Sequence, residues 1–339
     1  MVLPSRLVFC GGGTRCLVFL QTLVELEKRN HLANVKEYWG TSAGALLASL
    51  LAISKSAQTV KKVMFAADYT KFRNIDVSNM LMINTTWGLD DGTSLTGEIE
   101  RLFDIVEPGS KTLRMSDIRG LNIVLSNLNT HETVVCSGEN YPEMRVIDAI
   151  RASMSLPIMF RPYRHSQTGH YWVDGAVRAN FPWDMLPDDK ARSEALGFTF
   201  EKSWADGPKT FMEYLFSMIH FDEPKKMAEQ KQAWPKNIIW YPSPPFPAWY
   251  VNFKEDDYKL VEQYGQDAAD AWLSKAFMQA SSQGTLGSPP VCDPPHILPQ
   301  QTHLDRVSEL LGTQKLLQSQ GSASLLKKLS PLSSRRWSV

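Results

Sequence analysis

The chain has 339 residues, with 36 Lys and Arg against 36 Asp and Glu, and 43% of it is hydrophobic and 21% charged. That is the composition of a folded globular protein with a large core, and the lack of a basic excess argues against a dedicated nucleic-acid binder. Length alone admits two average domains or one α/β domain with insertions.

In chain order, Leu7-Val8-Phe9-Cys10 is a short apolar run that stops at Gly11-Gly12-Gly13, after which Leu17, Leu20, Leu23, Val24 and Leu26 recur near helical spacing. This predicts strand, glycine turn and amphipathic helix, the helix ending near Asn30. A second strand is drawn through Val35 to Trp39, followed by Gly40-Thr41-Ser42-Ala43-Gly44 and an apolar helix from Ala45 to Ile53. Two strand-turn-helix units in succession predict a mostly parallel sheet in an α/β fold. The stretch from Ala57 to Ser116 has no clear alternation and holds several Met, Asn and Thr residues, so it reads as an insertion over the sheet. Further strands are predicted at Leu121 to Leu128, Thr133 to Cys136, Tyr171 to Val173, Ala195 to Phe200 and Ile238 to Tyr241. Helices are predicted at Arg145 to Met154, ended by Pro157, and at Tyr258 to Phe277. The composition then turns rich in Ser, Gln, Gly and Pro. This places one main domain at 1–280, a linker at 281–303 and a basic tail at 304–339 with six Lys and Arg against two Asp and Glu.

Cys10, Cys16, Cys136 and Cys292 form no C-x-x-C pair and no cluster with histidine, so a reducing compartment is the easier reading and no metal is expected. Residues Met1 to Arg6 lack the pattern of a signal peptide, and the apolar run from Ala43 to Ile53 is too short to span a bilayer. The expectation is a cytoplasmic protein, with peripheral membrane contact open.

Gly40-Thr41-Ser42-Ala43-Gly44 fits G-x-S-x-G between a strand and a helix, where a serine on a sharp turn needs small neighbours and stands clear of the sheet. The bland alternative is a plain glycine turn. Acyl transfer also needs donors for an oxyanion, and Gly11, Gly12 and Gly13 can present backbone N–H groups. A dinucleotide loop is the competing reading, disfavoured because Cys16 stands where the third small residue belongs. Asp174 follows an apolar strand and precedes Gly175, so its carboxylate sits at a strand end as a candidate base, although Asp-Gly also marks ordinary turns. Seven histidines, His31, His131, His165, His170, His220, His296 and His303, offer no compelling partner.

Gly11-Gly12-Gly13-Thr14-Arg15, Gly40-Thr41-Ser42-Ala43-Gly44 and Asp174-Gly175-Ala176, in that order and spacing, resemble the motifs of the patatin-like phospholipase family. Ala152-Ser153-Met154-Ser155-Leu156-Pro157 with Phe160 and Pro162, and Asn180 with Pro182, resemble its flanking stretches, so the likeness runs from about Leu7 to Pro187. It implies a three-layer α/β/α fold that hydrolyses acyl esters of lipids with a Ser-Asp dyad, no cofactor and no catalytic histidine. Carried over, Ser42 is the nucleophile, Asp174 the base, Gly40 and Gly44 the elbow, and Gly11, Gly12, Gly13 and Arg15 the oxyanion loop. Cys16 and Ala176 depart from glycines common in the family and imply altered loop packing more than lost catalysis.

A carboxylate acting as base needs a raised pKa, which burial near Trp172 and Phe181 would supply. The implied partner is a phospholipid or other acyl-lipid, with no nucleic acid and any activating protein left open. Two alternatives stand beside this: a Ser-His-Asp hydrolase built from Ser42, Asp174 and His220, and a lipid-binding or scaffold protein on the same fold. The tail, with Leu304, Val307, Leu310 and Leu311 on one helical face and Lys327 and Lys328 near its end, reads either as a membrane-surface helix or as a packed terminal helix.

Overall fold

The computed structural model of the protein describes residues 3–75, 77–201, 207–208, 213–214, 217–218 and 223–282. His220, most of the expected linker and the whole expected tail lie outside the described residues. Strands β1 (Arg6–Phe9), β2 (Glu37–Thr41), β4 (Leu121–Asn127), β5 (Glu132–Ser137), β7 (Tyr163–Arg164), β8 (Tyr171–Asp174), β9 (Ala195–Glu201) and β10 (Ile238–Pro242) make one sheet. Strands β3 (Gly88–Asp90) and β6 (Ile158–Phe160) make a second. In the large sheet the order is β10-β9-β1-β2-β4-β8-β7, and β10, β9, β1, β2 and β4 run parallel.

The expected mixed α/β architecture with a mostly parallel sheet is what the chain adopts. Its helices are α1 (Val18–Lys28), α2 (Ala43–Ser54), α3 (Ala57–Phe65), α4 (Thr93–Val106), α5 (Val146–Ser153), α6 (Glu223–Ala233) and α7 (Glu255–Ser282), with shorter turns between them. Both faces of the sheet are covered. On one face Phe9, Phe19, Phe198, Phe200 and Tyr241 interleave their rings at centroid distances from 4.9 Å. There α7 lies so close to α1 that a Cβ at Gly265 would stand 2.5 Å from the Val18 carbonyl oxygen. On the other face Val8, Trp39, Val124, Trp183, Leu186 and Ile238 pack together. The alternation of Val8 and Phe9 along β1 thus feeds two cores, as a strand with a period of two requires.

Three expectations are corrected. Strand β2 lies at Glu37–Thr41, two residues later than drawn, because its pairing with β4 extends to Thr41 opposite Val124 and puts Gly40 inside the strand. The 57–116 stretch does carry a periodic pattern. It holds α3 and α4, and α4 buries Leu95, Ile99, Leu102, Phe103 and Val106 at helical spacing. The helix expected to end near Phe277 runs to Ser282, so the first two residues of the expected linker belong to α7.

The register of β4 decides where the site forms. One edge of β4 is taken by β5 over residues 122–127, so β2 and β8 must share the other. Strand β2 runs parallel to β4 over Leu121 to Val124, and β8 runs antiparallel to it over Leu125 to Asn127. The two therefore meet head to head: Thr41 faces Val124 and Asp174 faces Leu125. The residue after Thr41 is Ser42. Gly175 makes the meeting possible, since a Cβ there would stand 2.2 Å from the Val124 carbonyl oxygen and 2.9 Å from the Thr41 side chain.

Candidate active site

Ser42 connects β2 to α2 with φ 55° and ψ −125°. A positive φ is costly for a residue with a side chain and persists only where the surroundings enforce it. Here they do. A Cβ at Gly40 would stand 2.2 Å from the Gly44 carbonyl oxygen, and one at Gly44 2.4 Å from that of Cys10. The Ser42 N–H donates to Ser153 Oγ at 2.9 Å, and the Ser153 hydroxyl donates to the Val124 carbonyl at 2.6 Å. The elbow is thereby tied to β4 through one side chain of α5.

Asp174 ends β8, buried. Its N–H donates to the Ser155 carbonyl at 2.9 Å. Oδ1 accepts the Ala176 N–H at 2.8 Å and Oδ2 accepts the Ser42 hydroxyl at 2.7 Å. Burial pushes the Asp174 carboxyl up to about 7, against the smaller opposing pull of the Ala176 and Ser42 hydrogen bonds. A carboxyl that titrates there is matched to proton transfer near neutral pH. Of the two rings expected to help bury it, Trp172 stacks on His165 and Phe181 on Trp183.

The glycine loop lies against the elbow, where a Cβ at Gly11 would stand 3.1 Å from Ser42 Cβ and 2.8 Å from Asn180 Oδ1. The Gly11 N–H donates to the Asn180 carbonyl at 3.0 Å and is therefore not free for an oxyanion, which removes Gly11 from the expected donors. The N–H groups of Gly12 and Gly13 have no hydrogen-bond partner among the described residues. Gly13 has φ 57°, and a Cβ there would stand 1.9 Å from the Ala248 carbonyl oxygen. Arg15 lines the same cavity, with its Nε donating to the Phe246 carbonyl at 2.7 Å, and burial lowers the pKa of its guanidinium. Cys16 is buried behind the loop with Sγ 3.6 Å from the Cys10 carbonyl.

A cavity of about 690 Å³ opens on these groups, lined by Ser42, Asp174, Gly12 and Gly13 at one end and by apolar side chains such as Leu46, Leu47, Met64, Phe72, Leu156 and Phe160. A mostly apolar space of this size is matched in volume and chemistry to an apolar ligand.

Three residues carry site roles that their sequence context does not announce. Ser153 and Ser155 lie in the Ala152 to Pro157 stretch, and each fixes one member of the Ser42 and Asp174 pair. Arg151 is buried and donates to Ser155 Oγ, to the Asp91 carbonyl at 2.9 Å and to the Arg161 carbonyl at 3.2 Å, so it pins the segment that carries both serines. Among the described residues no histidine hydrogen-bonds Ser42 or Asp174. His165 Nδ1 meets Thr168 Oγ1 at 2.9 Å, and His170 Nδ1 meets Asn127 Nδ2 at 3.1 Å.

Comparison with known proteins gives a consistent result. The family described as patatin-like phospholipase matches residues 7–187. The chain is 25% identical over 258 residues to the uncharacterized protein YqhO of Bacillus subtilis, covering 69% of this chain and 86% of that one. It is 26% identical over 188 residues to a cGAMP-activated phospholipase of Escherichia coli, about half of each chain at 51% and 51%. Among solved structures, VipD from Legionella pneumophila superposes with a TM-score of 0.54 at 16% identity, covering 80% of this chain and 67% of that one, a likeness of fold.

Proposed function

We propose a function from one premise: the chain belongs to the patatin-like phospholipase family. Membership implies a lipid ester hydrolase. The finer reading is a phospholipase A-type acyl hydrolase that works through an acyl-serine, with Ser42 as nucleophile and Asp174 as base. The observation that carries it is the direct contact of Ser42 Oγ with Asp174 Oδ2 at 2.7 Å, at the end of an apolar cavity.

In this mechanism Asp174 Oδ2 takes the hydroxyl proton while Ser42 Oγ attacks the ester carbonyl. The N–H groups of Gly12 and Gly13 face the oxyanion, and each such donor is typically worth about 2.7–4 kcal/mol in the transition state. The tetrahedral intermediate collapses, the alcohol portion of the lipid leaves with the proton held on Asp174, and the acyl group stays on Ser42. Water then gives a proton to Asp174, attacks the acyl-serine, and releases the fatty acid as Ser42 recovers its proton. No step uses a metal or cofactor. Residues 1–282 carry the catalytic domain in this reading, with 283–303 as linker and 304–339 as tail.

Replacing His220 by Ala separates the dyad from a Ser-His-Asp hydrolase. Purified protein given phospholipid vesicles should release free fatty acid and lysolipid, and His220→Ala should retain that rate within about twofold, whereas loss of a catalytic general base costs about 10²–10⁴. Product analysis by mass spectrometry reads the outcome. A His220→Ala rate as low as that of Ser42→Ala would overturn the dyad, and no acyl product from the native protein would favour a lipid-binding role.

A further inference from the structure

We infer that the excursion from Ile75 to Trp87 is the surface by which this protein docks on a lipid aggregate, its apolar side chains entering the interface and Arg73 meeting the lipid phosphates. The inference rests on the lipid-hydrolase reading for its choice of occupant.

A water-soluble surface scatters its exposed large apolar side chains, whereas a concentrated patch marks an interaction site. Here they are concentrated. Leu81 is 86% exposed, Met80 59%, Met82 52%, Trp87 50% and Ile75 40%, all within thirteen positions. Only one residue of that stretch, Asp76, carries a charge. The band continues beyond the segment, because the Trp87 ring meets that of Tyr171 at 5.1 Å and the N–H of exposed Leu128 donates to the Tyr171 carbonyl.

The excursion is held at its base by polar side chains, and Ile83–Thr86 buries none of its residues. The Asn74 N–H donates to Asp90 Oδ2, Asn79 Nδ2 donates to the Leu89 carbonyl at 2.9 Å, and Arg161 Nη2 donates to Asn79 Oδ1 at 3.0 Å. Its outward side chains are thus presented on a fixed support.

Both ends join the wall of the substrate cavity. Phe72 and Arg73, which line the cavity, lead into the segment, and Trp87 leads into β3, whose partner β6 supplies the lining residues Met159 and Phe160. A second pair of exposed apolar residues, Tyr214 and Met218, alternates with the lining residues Glu213 and Ser217. The exposed apolar surface and the cavity are therefore continuous, as needed if a chain is to pass from an aggregate to Ser42 without crossing water. Arg73 adds charge complementarity: it lines the cavity, and it has no hydrogen-bond or ion-pair partner among the described residues. A guanidinium so placed suits a lipid phosphate.

The test is co-flotation of the full chain with vesicles of phosphatidylcholine containing or lacking phosphatidylserine, run beside hydrolysis of a soluble short-chain ester. The triple variant Met80→Ser, Leu81→Ser, Met82→Ser should lower vesicle partitioning at least about tenfold and leave soluble-ester turnover within about twofold of the native rate. Leu81→Ser alone should shift partitioning in the same direction by a smaller factor, which keeps the test decisive should the triple variant fail to fold. Arg73→Gln should weaken binding several-fold to the anionic vesicles only.

Unchanged partitioning of the triple variant overturns the inference, as does native protein that does not float. So does loss of binding confined to a variant with Lys327, Lys328, Arg335 and Arg336 changed to Gln, which would assign docking to the tail. A protein partner as the occupant would leave vesicle partitioning of every segment variant unchanged. Native protein that floats through this segment yet hydrolyses neither substrate would leave docking standing and remove the catalytic reading.

Discussion

Ser42→Ala is expected to lower acyl-ester hydrolysis by about 10⁴-fold or more while leaving the protein folded. The oxygen that would attack the carbonyl is gone, and no other hydroxyl takes its place: the Ser153 hydroxyl is committed to the Val124 carbonyl and that of Ser155 to the Arg151 carbonyl. The backbone at position 42 keeps its anchors, since its N–H donates to Ser153 Oγ and its carbonyl accepts from Ala45. Steady-state kinetics on a soluble short-chain ester, with circular dichroism as the control on folding, reads both halves of the expectation. A folded Ser42→Ala protein within tenfold of the native rate would remove the nucleophile from the account.

Asp174→Asn is expected to be nearly as damaging to the rate, by about 10²–10⁴-fold, because an amide cannot accept the serine proton. Its effect on stability runs the other way, and the sign follows from the raised carboxyl. In the folded protein Asp174 titrates near 7 instead of at its ordinary value of 3.8, because burial disfavours the charged form. Between about pH 4 and 7 the native state therefore holds a proton that the unfolded chain has released. Stability from this group is fully present below about pH 4 and is lost as pH rises through 7. The shift corresponds to about 4 kcal/mol over the window, at about 1.4 kcal/mol per unit. Asparagine has no proton to lose, so the variant's Tm advantage over the native protein should grow between pH 5 and pH 8. Native kcat/KM should rise with pH and level off above about 7, as the base ionises. A flat pH profile together with a pH-independent Tm difference would contradict the burial argument.

Ser42 and Asp174 are legible in the sequence because backbone geometry, as well as chemistry, constrains what surrounds them. Gly40 and Gly44 cannot carry a Cβ, nor can Gly175 where β8 meets β2, and such restrictions leave a trace in sequence. The glycine loop is legible as a site but not residue by residue. That Gly11 gives its N–H to Asn180, and that Arg15 turns to Phe246, depends on chain segments more than 160 positions away. Ser153, Ser155 and Arg151 are invisible as functional residues for a similar reason: serine and arginine in and after a short helix are unremarkable until the fold brings them the Val124 carbonyl of β4, the Asp174 amide of β8 and the carbonyls of Asp91 and Arg161. The helix α4 escapes a reading by pattern although Leu95, Ile99, Leu102, Phe103 and Val106 keep helical spacing. Polar Thr, Glu and Arg between them dilute the pattern across a sixty-residue stretch that also holds the exposed Met80 to Met82 run, and that run obeys no core periodicity.

Ser42 is proposed as the nucleophile, activated by Asp174 without a histidine. The most direct measurement of this role is the site of covalent labelling: incubation with an alkyl fluorophosphonate, then intact mass and peptide mapping of the native, Ser42→Ala, Asp174→Asn and His220→Ala proteins. One adduct per native chain is expected, located on Ser42, absent in Ser42→Ala, strongly slowed in Asp174→Asn and unchanged in His220→Ala. An adduct on any other residue, or equal labelling of Ser42→Ala, would contradict it.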